Sequence, residues 1–373
     1  MNNQRGDVPR VRYAVVGLGY VAQAAVLPAF AHAQENSELA ALISDDPEKL
    51  RTLGQKYKVA RTCSYVEYDE ILRSGAVDAV YIALPNSLHC EYTLRAANAG
   101  VHVLCEKPLA VTERECQEMI DAAAARKVKL MTAYRLHFDE ANLDAVQVVR
   151  SGKLGKPRLF NSVFTMQVKR GDIRLREDMG EGTLYDLGVY CINAARYLFR
   201  SEPQDVSACT IRNTGSRFHE VDEMTAAVMR FPEGQLASFI VSFGAAENSW
   251  YEVVGTKGNL LLRNAYEYAK KREQYVETNG KTSRRSYPIR DQFAPEILYF
   301  SDCILNNKRP ETSGEEGLID VKIIRALYRA AEVGHAVRPN PPEKEDRPSP
   351  RLKITRPKVK EPELVHASPP SEE

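Results

Sequence analysis

Net charge is almost absent from this sequence: 51 Lys and Arg stand against 50 Asp and Glu, a formal +1 over 373 residues. A chain so balanced carries no electrostatic footprint for nucleic acid or an anionic membrane surface as its main partner. No apolar run approaches the roughly 20 residues that a membrane-spanning helix needs. The opening stretch from Met1 to Arg10 is polar and lacks the apolar centre of a secretory leader, so the expected compartment is the cytoplasm. Cysteine pairing is missing too. The seven cysteines are scattered, odd in number and without a Cys-x-x-Cys, which argues against a disulfide framework and against a zinc site. No internal repeat is present. What remains is an ordinary globular composition, 43% hydrophobic and 27% charged, with length for two domains at roughly 150 residues each.

Between residue 11 and about 135, short apolar runs at 12–16, 39–43, 79–84, 101–105 and 129–133 alternate with helical stretches at 21–33, 47–57, 89–99 and 112–125. This alternation is the pattern of a parallel, doubly wound sheet. Thr112 with Glu115 forms a capping-box pattern at the start of the last of these helices. After a helix near 139–150 the pattern changes to longer alternating strands at 158–168, 205–212, 224–231, 235–243 and 259–263, with a helix at 184–198. Pro232-Glu233-Gly234 and Gly255-Thr256-Lys257-Gly258 supply hairpin turns. Helices at 295–305 and 315–333 close the globular part. Nine of the 20 prolines then fall between Pro339 and Pro370, among charges and few apolar residues; such a segment buries too little surface to offset its ordering entropy and is expected to be a disordered tail. The expected fold is α/β: an N-terminal Rossmann domain with a doubly wound parallel sheet over 1–135, a C-terminal α+β domain with a mostly antiparallel open sheet over 136–338, and the tail over 339–373.

Five segments carry chemistry. Tyr13 to Ala22 reads as a strand, a glycine turn and a helix start. Gly17 permits the tight turn, Gly19 lets the backbone approach a pyrophosphate, and the helix N-terminus beyond Tyr20 supplies N–H groups and a favourable dipole. Ala22 replaces the third glycine of the usual fingerprint. At the end of the second strand, Ser44 with Lys49 one helical turn beyond suits a 2′-phosphate and favours NADP; the competing alignment puts Asp45 on the ribose hydroxyl and favours NAD. Pro85 and Asn86 end a central strand, where Asn86 either positions the nicotinamide ribose or serves as a turn and cap residue; His89 follows on the next helix. Glu106-Lys107-Pro108 places a lysine just past the interior strand 101–105, because Pro108 fixes its own φ and biases Lys107 toward an extended backbone. The ammonium then projects where open α/β sheets bind ligands. Finally Asp186, Tyr190 and Asn193 recur at i, i+4 and i+7, on one helix face. A phenol is a weak acid, and a neighbouring ammonium such as Lys107 favours its ionised form.

With these motifs in this order, the chain resembles the glucose–fructose oxidoreductase/inositol dehydrogenase/MocA family from about Arg12 to Val337. Leu84-Pro85-Asn86-Ser87-Leu88-His89, Tyr134-Arg135-x-His137, Arg174-Leu175-Arg176 and Ser313-Gly314-Glu315-Glu316-Gly317 are similar to its glucose–fructose oxidoreductase-like branch. Many members carry histidine at the position of Tyr190, whereas this branch carries tyrosine. The branch's founding enzyme also has a leader and an extended N-terminal arm that helps hold its cofactor; here about ten residues precede the first strand, which puts export and permanent cofactor retention in doubt.

The resemblance implies that Lys107 hydrogen-bonds the reacting sugar hydroxyl, Tyr190 shuttles its proton and Asp186 orients the sugar. It implies a cofactor site from Gly17, Gly19, Tyr20, Ser44, Lys49, Pro85, Asn86, His89, Glu106, Lys107 and Arg135. It implies a substrate pocket from Arg135, His137, Arg174, Arg176, Asp186 and Asn193, with no metal. The expected activity is an NADP-dependent oxidoreductase, with NAD as the alternative, acting on a cyclic aldose or related polyol, in a homodimer or homotetramer joined through the C-terminal sheet. A nucleotide-sensing regulator without turnover and a sugar–sugar transhydrogenase with retained cofactor are the rival readings.

Overall fold

The computed structural model describes residues 9–180, 182–213, 217–342, 344 and 346–371, so Glu181 of the motif before Asp186 lies outside the described residues. Six of the strands it describes form a parallel sheet: β1 Val11–Val16, β2 Ser37–Ile43, β3 Arg61–Cys63, β4 Ala79–Ile82, β5 His102–Glu106 and β6 Leu130–Ala133. Their spatial order is β3-β2-β1-β4-β5-β6. The order in which strands are added reverses between β1 and β4, so a crevice opens beyond their carboxyl ends, the ligand position of doubly wound sheets. β4 and β6 are buried along their whole length, as strands covered by helices on both faces must be. β3 was not expected, because this edge strand has only three residues, two of them the exposed Arg61 and Thr62, and shows no apolar signature. The helix Pro47–Tyr57 starts on Asp46, whose side chain accepts from the N–H groups of Glu48 and Lys49, with proline at the first position. The expected capping box at Thr112 is formed with Glu115.

The second sheet holds β7 Pro157–Gln167, β8 Asp205–Ile211, β9 Met224–Phe231, β10 Gln235–Ser242, β11 Gly244–Gly255, β12 Gly258–Arg263, β13 Arg272–Thr278 and β14 Lys281–Tyr287, in the order β14-β13-β12-β11-β7-β10-β9-β8. β7 and β10 pair in parallel and the other neighbours antiparallel. β11, β13 and β14 were not read from the sequence; β14 is exposed from Lys281 to Ser286, so it carries no alternation. The inner face packs Phe160, Phe164, Ala227, Met229, Phe239 and Val241 against the helix Val189–Phe199. The outer face leaves Leu159, Ile211, Val228, Leu236 and Ile240 exposed.

Two late helices tie the halves together. Gly314–Val333 gives Leu318 and Val321 to a core of the parallel sheet, and Ile319, Ile323, Ile324 and Leu327 to the core of the second domain. Gly317 is required there, because a Cβ would lie 2.6 Å from both Leu109 Cβ and Thr132 Oγ1. Ala294–Leu305 returns to the first domain, burying Ile297 and Phe300. No helix among the described residues is long and apolar enough to cross a membrane.

Beneath this junction lies a buried ionic cluster. Arg196 pairs with Glu202 at 2.6 Å, Glu316 at 2.8 Å and Asp320 at 2.6 Å. Lys344 adds a contact to Glu316 at 2.8 Å and Arg347 one to Glu202 at 2.5 Å. Those last two cations belong to the segment expected to be disordered. That expectation is corrected: among the described residues, 339–371 run extended over the body. Arg356 pairs with Glu35 and bonds the His32 carbonyl, while Leu352, Ile354 and Val365 pack on a first-domain core. The segment has no core of its own, but its cations match carboxylates buried in the body, and its prolines reduce the conformational freedom lost on docking.

Arg196→Met leaves Glu316 and Asp320 buried without their main counter-charge. Urea unfolding should show a loss of about 3–5 kcal/mol, the cost of breaking a buried ionic group from one side. Wild-type stability in that variant would contradict the role given to Arg196.

Candidate active site

A cleft of about 880 Å³ lies between the two sheets at the carboxyl ends of β1, β4 and β5. Its floor is the glycine turn. Gly17 has φ +91° and a Cβ there would meet the Ala83 carbonyl oxygen at 2.5 Å, whereas a Cβ at Gly19 would meet no protein atom within 4 Å. The turn is thus forced by the neighbouring strand at one glycine and leaves open space at the other, as a pyrophosphate requires. Tyr20, Ser44, Lys49, Pro85, Asn86, Glu106, Lys107 and Arg135 line the same cleft. Asp45 accepts a hydrogen bond from the Tyr65 backbone N–H at 2.9 Å. Asn86 donates to the Gly180 carbonyl at 3.0 Å and joins the two domains across the cleft.

At the inner end, Lys107 leaves the tip of β5 and donates to Asp186 Oδ1 and to the Asp186 carbonyl, both at 2.9 Å. The other carboxylate oxygen accepts from Arg174 Nε at 2.7 Å. Lys107 and Asp186 are only 12% and 13% exposed. Burial opposes charge on both, yet the cations of Lys107 and Arg174 outweigh it and hold the Asp186 carboxyl well below the usual range. Burial likewise opposes the Lys107 charge, and Asp186 with Tyr190 overcomes it, raising the ammonium above its ordinary value. Lys107 Nζ stands 4.8 Å from the Tyr190 ring centroid. Arg135 donates to the Tyr190 hydroxyl at 3.2 Å and is held by the Tyr266 carbonyl at 2.5 Å and by Gln292. The phenol therefore sits between two cations, of which the sequence pointed only to Lys107 as its neighbour.

Four residues expected in the site do not reach the cleft. His89 is buried, with one ring nitrogen on the Pro108 carbonyl and the other on the Leu84 carbonyl, each at 2.9 Å, so it braces the loops that present Lys107 and Asn86. His137 lies between Glu311 and Asn193, each at 2.7 Å, inside the ionic cluster. Asn193 itself donates to Glu316 and Asp320. Asn193 follows Tyr190 by one turn of the helix Val189–Phe199, but its amide is spent on His137, Glu316 and Asp320, so this polar side of the helix runs on into the ionic cluster and not into the cleft. Arg176 is half-exposed and pairs with Asp178 at 2.6 Å; two residues on from Arg174, it points the other way.

Other residues of the cleft were not foreseen. Lys169, Tyr266, Tyr268, Glu296 and residues 366–371 line it. Glu296 is buried with neither carboxyl oxygen partnered, and burial together with nearby Glu106 pushes it well above the usual carboxylate range. Its signal was a glutamate inside the apolar run Pro295 to Leu298. The tail residues gave no signal.

The geometry has counterparts. The family described as "Oxidoreductase family, NAD-binding Rossmann fold" matches residues 11–134, and its companion C-terminal domain family matches 143–261. An uncharacterised oxidoreductase of Rhizobium meliloti is 34% identical over 338 residues, covering 87% of this chain and 98% of the relative. The NADP(+) D-xylose 1-dehydrogenase of Haloarcula marismortui is 30% identical, with 88% and 93% covered. Among solved structures, the aldose–aldose oxidoreductase of Caulobacter crescentus, complexed with glycerol, superposes with a TM-score of 0.84 at 37% identity, covering 88% of this chain and 99% of that one.

Asp186→Asn leaves Lys107 and Arg174 buried side by side without their shared anion. Burial then governs Lys107, whose ammonium should titrate below its ordinary 10.5 instead of above it. Carbon-13 NMR of the reductively methylated protein reads this titration, and a Lys107 signal still titrating above 10.5 in the variant would contradict the electrostatic assignment.

Proposed function

The chain belongs to the glucose–fructose oxidoreductase/inositol dehydrogenase/MocA family of oxidoreductases, and on that premise we propose that it is an NADP-dependent enzyme acting on a cyclic aldose or related polyol. The observation that carries this reading is Lys107 standing 4.8 Å from the Tyr190 ring, at the inner end of the cleft that the glycine turn opens. The bound nicotinamide supplies the hydride acceptor or donor. In the oxidising direction Tyr190, as phenolate, takes the proton from the reacting hydroxyl and becomes the neutral phenol. In the reducing direction it gives that proton to the sugar oxygen, and Arg135 and Lys107 beside it stabilise the phenolate left behind. Asp186 keeps Lys107 in place, and its free lone pairs orient a sugar hydroxyl. Ser44 and Lys49 hold the 2′-phosphate, with one Asp45 oxygen engaged by the Tyr65 N–H and the Asp46 oxygens by the helix cap and His366. The NADP(+) named in the Haloarcula marismortui relative agrees with this choice.

The Caulobacter crescentus neighbour, an aldose–aldose oxidoreductase, favours a second reading: the cofactor stays bound while one sugar is oxidised and another reduced. The exposed apolar residues Leu159, Val228, Leu236 and Ile240 on the outer face of the large sheet support pairing with a second copy of the chain.

A panel of aldoses and polyols assayed with NADP and NAD tests the reading. Lys107→Ala and Tyr190→Phe should each lower turnover by about a hundredfold to ten-thousandfold, the usual worth of positioned acid–base groups, while leaving NADPH affinity nearly unchanged. Near-native rates in both variants across the panel would overturn it.

A further inference from the structure

The far end of the cleft is walled by the chain's own C-terminal segment. Lys56 Nζ donates to the Glu363 carbonyl at 3.2 Å. Gln23, on the helix after the glycine turn, holds Val365 from both sides: its amide nitrogen donates to the Val365 carbonyl at 2.9 Å and its oxygen accepts from the Val365 N–H at 2.8 Å. Gln23 is 1% exposed, and the same nitrogen reaches the Leu18 carbonyl in the glycine turn at 2.9 Å. A buried amide satisfied in this way marks the tail as part of the first domain's structure. Val365 also packs on a first-domain core.

Beyond Val365 the segment turns at His366, φ +45°, whose ring pairs with Asp46 at 2.8 Å beside the Ser44 and Lys49 wall. It then crosses to the other domain. Ser368 accepts from Lys169 Nζ at 2.7 Å, the Pro370 carbonyl accepts from the Lys169 N–H at 2.9 Å, and Ser371 bridges Val168 as an antiparallel pair. Both ends are therefore anchored, one on each domain, and residues 366–371 between them line the cleft.

We propose that residues 363–371 form a strap belonging to the cofactor site, closed over the phosphorylated adenosine end of bound NADP. This rests on the reading of the cleft as an NADP site. His366 brings a polar group to the side of the cleft where Ser44 and Lys49 lie, Ser368 brings one on the Lys169 side, and a dinucleotide seated on the glycine turn leaves only when the strap lifts. Cofactor release is then slower than an open crevice would allow, and successive sugars meet the same nicotinamide.

The test compares full-length protein with Val365→Asp, which puts a charge against the apolar core and detaches the strap without altering a cleft-lining side chain. NADPH is bound, chased with excess NADP, and its release followed by stopped-flow fluorescence. Release from the variant should be at least about tenfold faster, the factor that losing one or two net hydrogen bonds produces, with melting of the cofactor-free protein confirming that it is folded. Equal release, or slower release as expected of a tail that merely occupies the site, would overturn the proposal. Failure of wild type and variant alike to bind NADPH would instead remove the NADP reading on which it stands. The Val168→Cys/Ser371→Cys variant provides an independent check, because residues across an antiparallel bridge lie about 4.5–5.5 Å apart at Cα, within disulfide reach. Its oxidised form should retain NADPH and its reduced form release it; equal release in both forms would sink the strap.

Discussion

A buried ammonium is stable only beside an anion, and in this protein the ammonium and its anion come from different domains. Lys107 leaves the tip of a parallel strand and Asp186 opens a helix of the second domain, with their atoms at 2.9 Å. Removing either partner strands a charge that costs several kcal/mol to keep dry, on the order found for broken buried pairs. The ion pair therefore fixes the lysine at the inner end of the cleft and helps set the docking of the two domains. Tyr190 follows one helical turn after Asp186, which brings its ring under the same ammonium.

Around that contact the molecule invests heavily in rigidity. Asn86 reaches the Gly180 carbonyl, His89 spends both ring nitrogens on the loops beside the glycine turn and Lys107, and Arg135 is held by Gln292 and the Tyr266 carbonyl before it touches the phenol. These supports hold a polar cleft open between two packed cores. The C-terminal segment works on the same principle at larger scale: Lys344 and Arg347 enter the ionic cluster at the domain junction, and the last described residues span the cleft mouth.

Much of this was legible in the sequence. The parallel sheet announced itself through short apolar strands separated by helices, and Gly17, Gly19, Lys107, Asp186 and Tyr190 stood out through turn chemistry and spacing. The edge strand β3 and the polar strand β14 were hidden because pairing, not periodicity, makes them strands. Asn193 lies outside the cleft because its amide is spent on Glu316 and Asp320, carboxylates of a distant helix that a residue count cannot place. His137 carries the chemistry of a ligand residue, yet its ring is spent on Glu311 and Asn193, a fact that only tertiary packing decides. The tail was misread for a similar reason: composition reports whether a segment can build its own core, not whether the body offers matching carboxylates and a groove.

If the phenol and ammonium serve the proposed reaction, hydride passes directly between a sugar carbon and the nicotinamide. Incubating the protein with an aldose deuterated at C1 and NADP, then examining the recovered cofactor by proton NMR, tests it most directly. The account predicts deuterium on one face of nicotinamide C4; a reduced cofactor carrying only solvent hydrogen at C4, or no reduction with any aldose or polyol tried, would contradict it.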